Sequence, residues 1–442
     1  MGLFLTAFKA HIIHVGNMNN KGTQALITSD VLVLYETVNG ASISVSTTDI
    51  DGVKKLGLPL SRLLPPVVDI PYDKADQLSK KFGFERSGLS YKILTLALLI
   101  LMSAQIMLSL LSVIMTKIGF KALYRSEVIE SIKNCNIVIS HSDENFKETA
   151  SLLPLNLYWI ITWWSMLISR TMDILVSRSF GKPVVMFPNS VGPFRTWIGR
   201  FLSRLSLNSC DYILIRDPIS YRIVDEVGIS TSKVLTYDTA LLFNRSGKEI
   251  LSDLSRPVIG VSPGIYGQSL SMAEVQNYIS VHARALDSAV EKHGFSVVFL
   301  PHYISGFSYD DFDVSKSIVE KMRNKRRTEI IRTNSVAEFK LLLNRMDMVI
   351  SSKMHPAILA VLGFVPVLCI SYDHKQTGFF QRLNMSECTL NIRDVSYERL
   401  LFKIDETWNQ RDTLGESLKR QIPQWQKNVR VTIQKVVSLY TN

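Results

Sequence analysis

Lys353 and His355 stand two residues apart, just after the apolar run Met348-Val349-Ile350 and the pair Ser351-Ser352. A lysine ammonium and an imidazole at a strand end can hold an anion and move a proton. A second apolar run, Val367 to Ile370, ends in Ser371-Tyr372-Asp373-His374-Lys375. Two successive strand ends thus present cations and hydrogen-bonding groups on one sheet edge, where open α/β sheets bind ligands. Other apolar runs end in the same way. They lead into Ser140-His141-Ser142-Asp143, Pro188-Asn189-Ser190-Val191-Gly192-Pro193-Phe194, Arg216-Asp217 and Pro301-His302-Tyr303. The chemistry this suggests is recognition of an anionic ligand with a histidine at hand.

These groups need a frame of short strands and helices. His11 to Val15 reads as a strand, Gly16-Asn17-Met18-Asn19-Asn20-Lys21-Gly22 as a turn, and Thr23 to Val33 as a helix. That order aims backbone N–H groups at whatever sits above the loop. The loop is neither a G-x-G-x-x-G turn nor a P-loop, so it does not specify a dinucleotide or a nucleoside triphosphate. Further strands are expected at 41–46, 136–140, 183–187 and 211–215. A second series follows at 258–261, 296–300, 329–332, 348–351 and 367–370. Strands alternating with helical patterns imply parallel sheets. The expected architecture is two α/β halves with a cleft between them. The first spans 1–245, a linker spans 246–257, the second spans 258–405, and an amphipathic helical tail spans 406–442.

The chain has 442 residues, and 50 Lys and Arg against 39 Asp and Glu leave a net charge of +11. An acidic partner suits that balance. Nucleic acid is set aside, because no RNA-binding aromatic motif, zinc-finger spacing or long basic run is present; 321–327 reads as the solvated end of a helix. Cys135, Cys210, Cys369 and Cys388 are scattered, which fits reduced packing residues of a cytosolic protein and no metal site. The first apolar run is short and holds Lys9, His11 and His14, so no signal peptide is expected. Ile93 to Met115 carries no charge over a length that could cross a bilayer. A span there would separate the first strand from the rest of its sheet, so an interfacial helix, or a buried or partner-facing one, fits better than a span. Leu152 to Ser169 is nearly as apolar and carries Tyr158, Trp159, Trp163 and Trp164. These suit a membrane interface or ordinary packing.

Five patterns, in order, resemble the polysaccharide pyruvyl transferase family. They are the glycine and asparagine loop at 16–22, Pro-Asn-Ser-Val-Gly-Pro-Phe at 188–194, Arg216-Asp217-x-x-Ser220, Lys353-x-His355, and Ser371-Tyr372-Asp373-x-Lys375-x-x-Gly378-Phe379. The family moves pyruvate from phosphoenolpyruvate onto sugar hydroxyls as a ketal. It looks like two Rossmann-type domains of the GT-B kind, here with an inserted apolar helix in the first. The resemblance implies that Arg216, Lys353 and Lys375 hold the donor's carboxylate and phosphate. His355 then serves as acid or base, with His302 as second choice. Asp143 and Asp217 would orient a histidine or receive a proton. Asn17, Gly22, Asn189, Ser190 and Tyr372 complete the expected substrate-binding set, with no metal and no cofactor beyond the donor. Lys353 stands where the family usually has arginine, which keeps the charge and loses the bidentate fork. Ser140-His141-Ser142-Asp143 lacks the glycines of the family's turn, and Asn189 replaces a common glutamine. The expected acceptor is a cell-surface glycan or glycolipid precursor on the cytoplasmic face of a membrane. Two alternatives share the frame. One is a nucleotide-sugar glycosyltransferase, for which Glu387 and Asp394 are the late carboxylates. The other is a non-catalytic, membrane-associated relative.

Overall fold

The computed structural model describes residues 8–83, 88–148, 157–247, 256–265, 270–304 and 310–441. The chain forms two compact units. One comprises Met1–Met18, Leu26–Thr239 and Asn428–Asn442, the other Asn19–Ala25 and Ala240–Lys427.

In the first unit the strands are β1 (Lys9–Val15), β2 (Ser42–Thr47), β3 (Arg62–Leu64), β4 (Ile137–Ser140), β5 (Val184–Asn189), β6 (Tyr212–Ile215) and β7 (Lys233–Leu235). They form one parallel sheet in the order β3-β2-β1-β4-β5-β6-β7. Its helices are α1 (Lys21–Thr37), whose first turn belongs to the other unit, α2 (Ile50–Lys55), α3 (Pro71–Phe82), α4 (Leu89–Lys117), α5 (Ser126–Asn134), α6 (Leu157–Ser179), α7 (Trp197–Asn208) and α8 (Pro218–Val227). A parallel sheet needs a crossover between neighbouring strands, and helices then cover both faces. The central strands accordingly carry continuous apolar runs: Ile137, Val138 and Ile139 are fully buried, as are Val184, Val185 and Met186.

The second unit holds β8 (Val258–Ser262), β9 (Ser296–Phe299), β10 (Thr328–Ile330), β11 (Met348–Ser351), β12 (Val367–Ser371) and β13 (Thr389–Asn391). These are again parallel, in the order β10-β9-β8-β11-β12-β13. Its helices are α9 (Met272–His293), α10 (Asp311–Lys321), α11 (Val336–Leu343), α12 (Met354–Val361), α13 (His374–Arg382), α14 (Tyr397–Asn409) and α15 (Arg411–Ser438), the last crossing into the residues of the first unit.

The expected strands are all present, with ends shifted by one or two residues. The additions are β3, β7 and β13, three-residue edge strands too short to carry a period of two. Ala240–Phe243 lies with the second unit. Ala240, Leu241 and Phe243 are buried, Lys340 Nζ donates to Phe243 O at 3.2 Å, and Gln426 Nε2 donates to Leu241 O at 2.8 Å. Within the expected linker, 248–255 lies outside the described residues.

The four cysteines are free and buried. Burial pushes Cys135, Cys210 and Cys388 up to about 12, and Cys369 upward too, so all four stay thiols. In the aromatic stretch, 149–156 and the side chains of Tyr158 and Trp159 lie outside the described residues. Trp164 Nε1 donates to Glu148 Oε1 at 3.0 Å, and Lys147 Nζ sits 5.4 Å from the Trp163 ring centre.

Candidate functional site

Strand order reverses between β8 and β11 in the second unit, the switch point where loops at the carboxyl ends diverge and leave room for a ligand. Four segments meet there: Ser262-Pro263-Gly264 at the end of β8, Pro301-His302-Tyr303 after β9, Ser352-Lys353 after β11, and the turn 19–25.

Lys353 is the N-cap of α12, with extended backbone. Ser351 fixes it: the Lys353 N–H donates to Ser351 Oγ at 3.1 Å, and that hydroxyl donates to Lys353 O at 2.7 Å. Its stem lies on Gly264, where an added Cβ would come within 2.3 Å of Lys353 Cε. Its ammonium is 2.8 Å from Asp311 Oδ1 and 5.2 Å from the centre of the Tyr303 ring. Asp311 opens α10 and is fully buried. It also accepts from the backbone N–H of His302 at 3.2 Å and of Tyr303 at 2.7 Å. One carboxylate thus ties the β9 loop to the β11 cation. Burial raises its pKa and Lys353 pulls against that rise.

His355 lies in the first turn of α12. Its ring is backed by Gly22, where a Cβ would come within 2.2 Å of His355 Nδ1. The His302 ring is roughly parallel to it, centroids 6.3 Å apart, and lies 5.6 Å from the Phe339 ring. Both His302 ring nitrogens are buried without a hydrogen-bond partner among the described residues, as is Ser262 Oγ. Burial, then Lys353, His355 and Lys21, hold the His302 pKa well below 6.5, so its imidazole is neutral.

Lys21 was not among the residues singled out from the sequence. It is 4% exposed, and its ammonium donates to Pro301 O at 3.3 Å and His302 O at 3.5 Å, beside the Phe339 ring. Burial brings its pKa down to about 8, against the raising effect of Asp311 and Glu338. Asn20 pairs with Tyr303 through a single β-bridge, which seats this turn on the β9 loop. The N-termini of α1, α10 and α12 therefore gather around two ammonium groups and two imidazoles. Positive helix ends and cations together favour a negative charge. Asp311 escaped sequence reading because it lies beside no motif residue, and Lys21 because nothing local marks a lysine as buried. The one signal for Lys21 was its place in the glycine loop.

Tyr372 and Lys375 are half-buried at the start of α13. Gln376 Oε1 accepts the N–H groups of Tyr372 and Asp373 at 3.0 and 3.2 Å, and Gln376 Nε2 donates to Ser352 O at 3.2 Å. The β12 end is thereby fastened to the β11 end.

Asp143, Asn189, Ser190, Arg216 and Asp217 lie in the first unit, around the ends of β4, β5 and β6, and Asn17 follows β1. Asn189 donates to His141 O and Phe187 O at 2.9 and 2.8 Å and accepts from Asn145 N–H at 3.1 Å, so its amide is used within the fold. Ser190 N–H donates to Asp143 O at 3.0 Å. Arg216 has no exposed side-chain surface; Nη1 bonds Asp238 at 2.7 Å and Nε bonds Ser190 Oγ at 2.8 Å. Burial opposes its charge, but Asp238, Asp143, Glu144 and Asp217 hold its pKa above the usual value. Its Nη2 is buried without a hydrogen-bond partner among the described residues. Asp217 caps α8, accepting Ser220 N–H at 2.7 Å and Ser220 Oγ at 2.6 Å. His141 and Ser142, in the turn that lacks glycine, both bind Asp30, at 2.7 and 2.8 Å. The first unit also has a polar cavity of about 390 Å³ lined by Thr47, Thr48, Asp49, Asp69, Lys74 and Arg125 among others. None of the sequence-predicted site residues lines it.

Comparisons with known proteins agree with this frame. Amylovoran biosynthesis protein AmsJ of Erwinia amylovora is 20% identical over 258 residues, covering 55% of this chain and 62% of that protein, so the match spans less than two thirds of the relative's length. UDP-GlcNAc 2-epimerase from Neisseria meningitidis, solved with UDP-GlcNAc, superposes with a TM-score of 0.57 at 11% identity, over 98% of this chain and 100% of that one. The spinosyn rhamnosyltransferase SpnG gives 0.51 at 10% identity, with 98% and 100% covered. At such identities the likeness concerns the fold, two parallel-sheet α/β domains of the GT-B kind. The family model described as polysaccharide pyruvyl transferase matches residues 60–374. A match over that much of the sequence means that the chain belongs to the polysaccharide pyruvyl transferase family.

Proposed function

We propose that this protein transfers pyruvate from phosphoenolpyruvate onto two hydroxyls of a polysaccharide or glycolipid precursor, forming a ketal and releasing phosphate. The carrying observation is the cluster of Lys21, Lys353, His302 and His355 at the β8/β11 switch point. There a buried neutral histidine keeps two nitrogens without a hydrogen-bond partner among the described residues, beside two ammonium groups. A small ligand with two anionic groups matches that set. Lys21 and Lys353 neutralise the carboxylate and phosphate. His355 delivers a proton to the methylene carbon while the first sugar hydroxyl bonds to the central carbon. The phosphate–carbon bond then breaks, and the second hydroxyl closes the ring. One hydroxyl proton replaces that given to the methyl group, and the other leaves with phosphate or solvent. His302 accepts or donates one hydrogen bond to the donor. Tyr372 and Lys375 line the same edge. Arg216, Asp217, Ser190 and Asn189 shape the loops of the first unit, with Arg216 as a positioning residue. The reading needs no metal. The relative's part in amylovoran biosynthesis supports a polysaccharide acceptor, and we place the enzyme on the cytoplasmic side of a membrane that carries it.

The test is phosphate release from phosphoenolpyruvate with candidate glycan and glycolipid acceptors. Expected are turnover by the native protein, loss of at least about a hundredfold in His355→Ala, and retention in Lys353→Arg. Release that survives unchanged in His355→Ala, or thermal stabilisation by UDP and not by phosphoenolpyruvate, would overturn the proposal.

A further inference from the structure

Helix α4 is inside out. Its inward stripe consists of Tyr91, Thr95, Met102, Ser109, Ser112, Val113 and Thr116, all buried, with Gln105 part-buried beside them, so it is richer in hydroxyl groups than the outward one. The opposite stripe, at the same 3.6-residue period, is Ile93, Leu96, Ile100, Met107, Leu111 and Ile114, all exposed, with Ile100 at 75% and Met107 at 72%. The polar stripe is anchored to its own unit. Gln105 Oε1 accepts Asp69 N–H at 3.0 Å, Ser109 Oγ donates to Val67 O at 3.3 Å, and Ser112 Oγ accepts Tyr124 N–H at 2.8 Å. Arg125 closes the same corner on Asp69 at 2.8 Å. By length and composition alone the helix could cross a bilayer. These bonds hold it along the surface of the domain instead.

A second helix repeats the pattern nearby. α7, like α4, packs on α6 and turns Trp197, Phe201 and Leu205 outward, Trp197 at 76% exposure. Arg195, Arg200 and Arg204 are exposed among them. Residues 88–126 contain Lys92, Lys117 and Lys121, all exposed, and no Asp or Glu; 194–209 likewise contain no acid. An exposed apolar face of this size on a soluble domain needs a cover. A second copy of the same surface would set lysine and arginine against lysine and arginine. An anionic bilayer satisfies both features, because acyl chains take the Leu, Ile, Trp and Phe side chains and headgroups take the cations.

We infer that α4 and α7 form a monotopic docking surface that lies in the plane of an anionic bilayer without crossing it. This deepens the reading of the acceptor as a membrane-borne glycan and rests on that reading only for its purpose. Vesicle binding is measured without turnover, so an inactive protein that still binds vesicles leaves the surface standing.

The test uses the full chain and vesicles of phosphatidylcholine, alone or with roughly a third phosphatidylglycerol. Flotation with the anionic vesicles is expected, weaker with phosphatidylcholine alone and weakened by salt. The combined variant Ile100→Glu, Met107→Glu, Leu111→Glu should bind at least about tenfold more weakly with unchanged far-ultraviolet circular dichroism. Arg200→Glu with Arg204→Glu, on the other helix, should weaken only anionic binding. Alkaline carbonate should release the protein from membranes. No flotation of the native protein, undiminished binding by the triple variant, or retention through carbonate would overturn the inference. So would a dimer that the triple variant dissolves while vesicle binding persists.

Discussion

Lys21 illustrates how position sets a residue's chemistry. An ordinary lysine keeps its proton to about 10.5, but this one is buried and titrates at about 8. The sign of the consequence follows directly. Below pH 8 the ammonium is charged and attracts an anion, and as pH rises through about 8 that attraction is lost. Phosphoenolpyruvate affinity, measured by calorimetry between pH 7 and 9.5, should therefore fall across this range. Lys21→Arg should flatten the fall, because a guanidinium keeps its proton throughout. An affinity that is flat in the native protein would remove Lys21 from the donor site. Arg216 is the contrasting case. Its charge is neutralised by Asp238 and its surface is covered, so removing either partner should strain the fold before it alters binding.

At the scale of elements, the first turns of α1 and α12 fit closely against each other. Gly22 leaves no room for a side chain, since a Cβ would overlap the His355 ring. Gly22→Ala must push the imidazole aside or separate the two helix starts. We expect kcat/KM to fall by roughly tenfold or more, through kcat more than KM, if His355 moves protons. The midpoint of thermal unfolding should fall by only a few degrees. A variant with native kinetics would mean that the ring position is immaterial. Elsewhere the strand ends are held by short polar devices. Ser351 locks Lys353, Gln376 joins two turns, and Asp217 caps α8. Each aims a backbone segment at a strand end.

At the scale of the molecule, the two units are not two halves of the sequence. Asn428–Asn442 belongs with the first unit, where Val429, Ile433 and Val437 are fully buried and Val436 nearly so. Asn428 Oδ1 accepts from Thr236 Oγ1 at 3.1 Å, and Arg430 pairs with Glu36. Burying an aliphatic side chain stabilises by about 1.5–3 kcal/mol, so losing four would exceed half of a typical domain's margin. Truncation after Lys427 should therefore leave a chain that aggregates or shows an early unfolding transition by calorimetry. A chain as stable as the full protein would refute this. The sequence by itself determined the two parallel sheets and the placement of polar groups at strand ends, because apolar runs of four to seven residues with turn chemistry between them record burial on both faces. It also exposed Lys353 and His355, which are neighbours along the chain. Only the tertiary structure decided that Lys21 and Asp311 join them, that Arg216 and Asn189 spend their polar atoms inside the fold, and that α4 turns its polar stripe inward. These depend on contacts between residues up to hundreds of positions apart, and no local period or spacing encodes which carboxylate or carbonyl a given cation meets.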